Sequence, residues 1–322
     1  MADKLLNKID EKKNPCVVGL DPVVEKIPPY LLKGDSFADI AEAFREFNFT
    51  IIDSVQDLVP CVKPQIAFYE KYGSAGLAAF KDTVDYAHSK GLIVIEDGKR
   101  GDISHTVQAY AEGHLGVVKT RSTTQPSLNV DLLTVNPYLG SDGLTPFVNV
   151  CKEQEKGLFI LAKTSNPGSG ELQDRMIDLT PSEQKELASI GIKLNNGRTT
   201  LYNLVALRIR NYAKECIGSR GYSQIGAVVG ASFSSQAEEL RKIMPESIFL
   251  VPGYGAQGGT AKELVNCFNN DGYGAVVNSS RGIIYAYEKL GTPNKFAQAA
   301  RKATEEMIKD IISALKEKIY HD

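Results

Sequence analysis

The amino-acid sequence predicts an α/β protein of the (β/α)8 TIM barrel class, and three observations lead to this class. Eight short runs of apolar and β-branched residues recur along the 322-residue chain, each followed by turn residues. Segments with helical spacing of apolar residues separate these runs, so strands and helices alternate about eight times. The runs are apolar throughout, as in parallel strands buried on both faces. An open, doubly wound sheet remains an alternative, because periodicity does not show whether a sheet closes.

The candidate helices carry recognisable start and stop signals. The first begins at Ser36, and Asp39 three residues later completes the pattern of a capping box. A second covers residues 77–91 and stops at Gly91, as helices often do at glycine. The last covers about residues 296–315. The candidate strands cover residues 16–22, 60–65, 92–99, 132–138, 158–168, 226–232, 248–255 and 274–282.

We interpret the whole chain, residues 1–322, as one barrel domain. Two connections, residues 113–131 and 168–224, are longer than a simple strand-to-helix loop requires. The second has its own helical pattern around residues 201–216. We therefore expect an elaborated helical crossover between strands 5 and 6, and not a second domain.

Composition argues against several classes of partner, and it leads us to expect a cytoplasmic protein. The formal net charge is −2, so there is no basic surface of the kind that nucleic acid or an anionic membrane attracts. No apolar run approaches the roughly 18 residues of a membrane span, and the charged first residues do not resemble a secretory signal. The cysteines are odd in number, scattered and without CxxC spacing, which is typical of thiols in a reducing compartment. They are Cys16, Cys61, Cys151, Cys216 and Cys267.

Polar side chains follow most of the candidate strands at the point where each strand ends. In a (β/α)8 barrel the carboxyl ends of all strands meet on one face, and that face carries the active site. Charges on unrelated surface loops would not gather at the same end of successive strands. The residues in question are Asp21, Lys63, Asp97, Lys99, Ser165, Gln257 and Arg281.

The stretch "IEDGKRGDISHT" concentrates these charges at the end of strand 3. Asp97 and Lys99 are two residues apart and so project from the same side of an extended strand, and Lys63 comes from the neighbouring strand. Charges of alternating sign keep each lysine protonated and each aspartate ionised. Such an array can stress a bound anion with an aspartate while a lysine stabilises and then protonates a carbanion. A solvated surface loop is the alternative interpretation of the stretch taken alone.

The stretch "VPGYGAQGGT" predicts a phosphate site. It contains the pattern GxGxxG (Gly253, Gly255, Gly258), which also occurs in dinucleotide-binding loops. It comes late in the chain, however, and the next strand ends in "NSSRG" without an acidic residue for a ribose. Loops after strands 7 and 8 of a barrel commonly bind phosphate through backbone amides and an arginine. We assign Gln257 and Arg281 to this site, with a purely structural glycine turn as the alternative.

These motifs together resemble the orotidine 5'-phosphate decarboxylase family, in the longer subgroup of bacterial and some protozoan enzymes. "DGKRGDI" matches the family signature Asp-x-Lys-x-x-Asp-Ile. The stretches "GLDP", "VKPQIAFYE", "TVNPYLG", "TSNPG", "PGYGAQGG" and the terminal "SRG" follow the family's order. The resemblance runs from about Cys16 to the end of the last strand. It implies decarboxylation of orotidine 5'-phosphate to uridine 5'-phosphate in de novo pyrimidine synthesis, without a metal or organic cofactor.

The resemblance also implies roles for individual residues. Lys63, Asp97, Lys99 and Asp102 would form the catalytic network, in which Lys99 protonates C6 of the pyrimidine after carbon dioxide leaves. Asp97 would sit against the substrate carboxylate. Asp102 and Ile103 would reach the partner's site, so that a homodimer with shared active sites is required. The remaining substrate contacts would come from Asp21 and Thr106 on the ribose, Ser165 on the pyrimidine, and Pro252, Gln257 and Arg281 on the pyrimidine edge and phosphate.

Two alternatives from other functional classes remain. Magnesium-dependent sugar-phosphate decarboxylases and aldolases of the same suprafamily share the strand 3 pattern, but they place an acidic metal ligand after strand 2, where this chain has Lys63. A phosphate-ligand binding barrel without catalysis is the other alternative. It requires that the complete set of charged motif residues has no catalytic use.

Overall fold

The computed structural model describes residues 1–230, 234–255 and 260–321. Eight parallel strands form a closed barrel in which each strand pairs with its neighbours in the chain and the last pairs with the first. Closure excludes the open-sheet alternative and confirms the predicted class and all eight strands. The strands are β1 (Cys16–Leu20), β2 (Cys61–Pro64), β3 (Ile93–Arg100), β4 (Leu132–Val135), β5 (Gly157–Lys163), β6 (Ser223–Val229), β7 (Ser247–Pro252) and β8 (Ala275–Ser279).

Helices surround the barrel and connect successive strands. Helix α2 (Phe37–Val55) begins as predicted at a capping box: the Ser36 hydroxyl accepts from the Asp39 amide at 3.2 Å, and the Asp39 carboxylate accepts from the Ser36 amide at 3.1 Å. The longer helices are α1 (Ala2–Lys12), α2 (Phe37–Val55), α3 (Gly73–Ser89), α4 (Ser104–His114), α5 (Ser141–Gln154), α6 (Pro181–Ser189), α7 (Leu201–Lys214), α8 (Ser234–Ile243) and α9 (Phe296–His321). Shorter ones cover Ala67–Glu70, Ala261–Leu264, Arg281–Ile284 and Ala286–Leu290. None of the helices in the described ranges is long and apolar enough to cross a membrane.

Both long connections contain small antiparallel ribbons that the sequence analysis did not predict. One pairs Val117–Lys119 with Thr124–Pro126, between α4 and β4. The other pairs Met176–Asp178 with Arg198–Thr200 and lies between β5 and β6, together with α6 and α7. The segment 168–224 is thus helical, as expected, but also carries a two-stranded ribbon.

The core has two apolar layers, one inside the barrel and one between the strands and helices. Alternate residues of each strand contribute to them: Ile93 and Ile95 of β3 point into the barrel, whereas Val94 points outward to the helices. Helix α1 closes the amino-terminal end of the barrel, where Leu5 and Leu6 join the inner layer. The opposite, carboxyl-terminal end is left for the site.

A buried carboxylate helps to hold this closed end together. Asp131, just before β4, accepts hydrogen bonds from the Val94 amide at 2.9 Å and the Lys4 ammonium at 2.9 Å, and it lies 2.8 Å from His88 Nε2. Burial raises the pKa of Asp131, but the hydrogen bonds from His88 and Val94 outweigh burial and hold that pKa well below its ordinary value. The carboxylate therefore links α1, α3 and β3.

We expect Asp131→Asn to lower the free energy of unfolding by about 2 kcal/mol at neutral pH, because the amide cannot accept from all three groups and loses the charge. Urea denaturation monitored by circular dichroism measures the change. The matched control is Glu153→Gln on the exposed side of α5, which we expect to stay within about 0.5 kcal/mol of the wild type. Equal unfolding free energies for the two variants would contradict a structural role for Asp131.

Candidate active site

A cavity of about 470 Å³ opens at the carboxyl-terminal ends of the strands. It lies where a (β/α)8 barrel places its active site. Four strands, β2, β3, β4 and β8, and the loops after β1, β5, β7 and β8 contribute most of its polar side chains. Its lining comprises Asp21, Lys63, Asp97, Lys99, Thr134, Leu161, Thr164, Ser165, Asn166, Gln173, Val228, Leu250, Pro252, Gly253, Tyr254, Asn278, Ser279, Ser280 and Arg281.

The alternation of the strands explains why these side chains meet. Cys61 of β2 belongs to the inner apolar layer, so Lys63, two residues later, also faces inward. The same spacing follows Ile95 to Asp97 in β3 and Leu132 to Thr134 in β4. The inward-facing rows of these three strands are therefore apolar at the closed end of the barrel and polar where they reach the cavity.

Asp97 lies between two lysines. Its Oδ2 accepts from Lys63 Nζ at 2.7 Å, and its Oδ1 is in contact with Lys99 Nζ. The Thr134 hydroxyl donates to the same Oδ1 at 3.1 Å. Lys63 is only 3% exposed, so its ammonium group depends on the protein and not on water for charge compensation.

The two lysines keep Asp97 ionised. Burial raises the pKa of the Asp97 carboxyl, but the ammonium groups of Lys63 and Lys99 outweigh burial and hold that pKa far below its ordinary value. Burial lowers the pKa of Lys63, but the carboxylates of Asp97 and Asp21 outweigh it and leave that pKa above its ordinary value. The array thus carries fixed charges of alternating sign at neutral pH, as predicted from the spacing.

Lys99 adopts an unusual backbone conformation, with a φ of +47°. A non-glycine residue in the left-handed region is strained, and such strain persists only where surrounding contacts enforce it. The Lys99 amide donates to the Thr134 hydroxyl at 2.9 Å. Thr134 therefore positions both Asp97 and Lys99. Thr134 was not predicted from the sequence, although its place two residues after an inward-facing leucine was the signal that could have found it.

Two buried oxygen atoms in the cavity wall have no hydrogen-bond partner among the described residues. Ser280 donates to Asp21 Oδ2 at 2.6 Å, which leaves Asp21 Oδ1 buried without a hydrogen-bond partner in the described part of the chain. Asn278 Oδ1, on the inward face of β8, is likewise buried and accepts no hydrogen bond from the described residues. Buried oxygens of this kind can accept hydrogen bonds from a ligand's hydroxyl groups. Asn278 was also missed, although it belongs to the quoted "NSSRG" stretch.

Seven of the eleven predicted site residues line this one cavity. Three others, Asp102, Ile103 and Thr106, belong to the loop after β3 and the first turn of α4 and do not line it. Ile103 is 47% exposed, on the outer surface of the chain. The prediction for Gln257 lies outside the described residues. The seven that line the cavity are Asp21, Lys63, Asp97, Lys99, Ser165, Pro252 and Arg281.

The cavity offers ammonium, carboxylate, hydroxyl and amide groups to a ligand. It suits a small polar anion better than a metal ion, because two lysine ammonium groups flank its buried carboxylate. In residues 1–230, 234–255 and 260–321, no three side chains of His, Cys, Asp or Glu are grouped so that they could hold a metal ion.

Fold and site together define a (β/α)8 barrel enzyme whose active site is built from fixed charges. The chain belongs to the orotidine 5'-phosphate decarboxylase / HUMPS family, whose model matches residues 17–295. It is 43% identical over 300 residues to the orotidine 5'-phosphate decarboxylase of Rhodopirellula baltica, covering 90% of this chain and 91% of that protein. It is 42% identical over 314 residues to that of Petrotoga mobilis, covering 97% of this chain and 98% of the relative.

A solved structure agrees with these sequence relatives. The structure of Leishmania donovani OMP decarboxylase superimposes with a TM-score of 0.69 at 27% identity, covering 98% of each chain. The sequence-based family assignment is thereby confirmed.

We expect Lys63→Met to lower the free energy of unfolding by about 3 kcal/mol, because it leaves the Asp97 carboxylate buried beside a single lysine. The double variant Lys63→Met/Asp97→Leu should recover part of this loss, since neither charge then remains unpaired. A double-mutant cycle by urea denaturation, completed with Asp97→Leu, measures the coupling. A coupling below about 0.5 kcal/mol would show that the two charges do not depend on each other.

Proposed function

We propose that this protein decarboxylates orotidine 5'-phosphate to uridine 5'-phosphate, in de novo pyrimidine synthesis. The observation that carries the proposal is the Lys63–Asp97–Lys99 array at the carboxyl-terminal end of the barrel. The named activity of the relatives supports the choice of substrate. The sugar-phosphate lyase and the non-catalytic binding barrel have no observation in their favour.

The array supplies what the reaction needs. The substrate's C6 carboxylate would lie against Asp97, which is held ionised and so repels it. When the bond between C6 and the carboxyl carbon breaks, carbon dioxide leaves and the electron pair stays on C6. The Lys99 ammonium stabilises this carbanion and transfers a proton from Nζ to C6, which leaves a neutral amine that regains a proton from solvent. Because the charges are fixed before the reaction, little reorganisation is needed during it.

The rest of the cavity would bind the nucleotide. We propose that Asp21, with its unsatisfied Oδ1, accepts from ribose hydroxyls, and that Ser165 contacts the pyrimidine. Arg281 lies at the start of the short helix after β8, where an arginine and helix amides favour phosphate. Pro252 and the predicted Gln257 would complete the contacts with the pyrimidine edge and with the phosphate. Binding energy from the phosphate then contributes to the chemical step at C6.

The reaction as proposed uses no metal and no organic cofactor. The positive charge that a divalent cation would supply next to a carboxylate comes here from Lys63, whose ammonium lies 2.7 Å from Asp97. The electron pair stays on C6, where the Lys99 ammonium stabilises it electrostatically until the proton is transferred.

We also propose a homodimer in which Asp102 and Ile103 complete the partner's active site. Neither residue lines the cavity of its own chain, and Ile103 is 47% exposed. Tyr138 is 78% exposed and Leu172 is 52% exposed beside a groove of about 850 Å³ that adjoins the site. An apolar surface of this kind is typical of an interface, and a two-fold axis would bring each chain's Asp102 and Ile103 to the other chain's cavity.

We propose a cytoplasmic location, supported by five free cysteines. We propose that residues 1–322 form one domain, supported by packing of the 168–224 segment on β5 and β6 through α7.

The activity test measures the ultraviolet absorbance of orotidine 5'-phosphate with purified protein and a chelator. We expect the wild type to remove the substrate band and Lys99→Ala to be slower by at least about 10³-fold, because C6 then has no proton donor. Lys185→Ala, an exposed position on α6, is the control with wild-type rate. An inert wild type would refute the proposal, and turnover of sugar phosphates with added magnesium would then favour the first alternative.

The shared site is tested by mixing two inactive variants. Lys99→Ala and Asp102→Ala should each be inactive alone. After exchange of subunits at equal concentration, half of the dimers are mixed and each holds one intact site, so activity should return to about a quarter of the wild-type value. No recovery, in a mixture shown by native mass spectrometry to contain mixed dimers, would place Asp102 in its own chain's site.

A further inference from the structure

Two consecutive residues of the inserted segment between β5 and β6, Gln173 and Asp174, bind the end of β5 beside the active site. They follow the short 3-10 turn Pro167–Glu171. Gln173 lines the active-site cavity and also the apolar groove beside it. The segment is therefore part of the wall between these two spaces.

Gln173 holds Thr164 by both of its polar atoms. Its Oε1 accepts from the Thr164 amide at 3.0 Å, and its Nε2 donates to the Thr164 hydroxyl at 2.8 Å. The Thr164 hydroxyl in turn donates to Asn166 Oδ1 at 2.6 Å. The Gln173 side chain thus fixes Thr164, the first residue after β5. The Thr164 hydroxyl in turn holds Asn166, the third residue after the strand.

Asp174 gives the same segment a second anchor, at Lys163, the last residue of β5. Its Oδ1 accepts from Lys163 Nζ at 2.7 Å, and Ser169 accepts from the same ammonium at 3.2 Å. The Lys163 side chain is fully buried. Gln173 and Asp174 therefore bind two successive residues, Thr164 and Lys163, so a shift of the segment along the strand would break both contacts together.

The inserted elements hold Gln173 itself in place. Its amide donates to the Ser169 carbonyl at 2.9 Å, and its carbonyl accepts from the Tyr202 amide at 3.0 Å, in the first turn of α7. A glutamine whose backbone is fixed at both ends loses less side-chain freedom when it binds Thr164 than one on a mobile loop. The 3-10 turn and α7 thus support this contact.

Ser165, the residue between Thr164 and Asn166, is restricted from the opposite side as well. The Gly230 amide donates to the Lys163 carbonyl at 2.8 Å. A Cβ added to Gly230 would lie 2.9 Å from Ser165 Cα, so the two backbones are in close contact. Ser165 is held between Gly230 and the residues that Gln173 fixes, and in this position it lines the cavity.

We propose that Gln173 is a positioning residue for substrate recognition: it sets the Thr164–Asn166 turn so that Ser165 meets the pyrimidine. This rests on the proposed function, in which Ser165 contacts that ring. It also gives the inserted segment a role, because the segment carries Gln173 to the cavity. Gln173 has no contact with Lys99 or Asp97 among the hydrogen bonds of the described residues, so it acts on binding more than on proton transfer.

The test compares Gln173→Met, which keeps the length of the side chain but not its hydrogen bonds, with the wild type. We expect KM for orotidine 5'-phosphate and the inhibition constant of uridine 5'-phosphate both to rise about tenfold, with kcat within about threefold. Gln173→Glu keeps an acceptor for the Thr164 amide and should recover part of the loss. Thr164→Val removes the other partner, and its effect on KM should not add to that of Gln173→Met.

The control is Gln184→Met on α6, which removes another glutamine hydrogen bond of the same segment, to the Leu179 carbonyl at 3.0 Å. It should leave KM unchanged. If Gln173→Met does not fold, Thr164→Val carries the test alone, with the same expected rise in both constants.

The outcomes separate this inference from the proposed function. An active wild type with unchanged KM and inhibition constant in Gln173→Met and Thr164→Val refutes the inference and leaves the function intact. A wild type that neither turns over orotidine 5'-phosphate nor binds uridine 5'-phosphate in calorimetry refutes both. A fall in melting temperature with unchanged constants assigns Gln173 a purely structural role.

Discussion

The site depends on one buried interaction, the pairing of the Asp97 carboxylate with the ammonium groups of Lys63 and Lys99. Three charges in a confined space are costly unless each faces an opposite sign, and here the carboxylate lies between the two lysines. Thr134 fills the remaining acceptor position on Oδ1 and holds the strained Lys99 backbone. The stability of this part of the protein and its chemistry are thus set by the same contacts.

The barrel makes this arrangement possible through the simple alternation of its strands. Lys63, Asp97 and Thr134 continue the inward-facing rows that begin with Cys61, Ile95 and Leu132. The apolar part of each row, closed off by α1, supplies the rigid core that keeps the polar part in position. A shift of one residue in the register of β3 would turn Asp97 away from the cavity, so the packing of the closed end protects the geometry of the open end.

Sequence reasoning could predict the eight strands and the charged residues at their ends, because both follow from local apolar runs and from the known site of barrel chemistry. It could not predict contacts that depend on three-dimensional proximity of distant segments. Thr134 looks like an ordinary strand residue, and Gln173 lies in a segment whose path is set only by its docking on β5. Asp102 and Ile103 show another limit, since residues proposed to act in a partner's site leave no trace in the cavity of their own chain.

The central claim is that a proton replaces the carboxylate on C6 of the nucleotide within this charged cavity, with loss of carbon dioxide. Proton NMR of the reaction in D2O tests it most directly. We expect each orotidine 5'-phosphate consumed to give one uridine 5'-phosphate with deuterium at C6, because the Lys99 ammonium exchanges its protons with solvent. Absence of uridine 5'-phosphate, or a product with protium at C6, would contradict the mechanism.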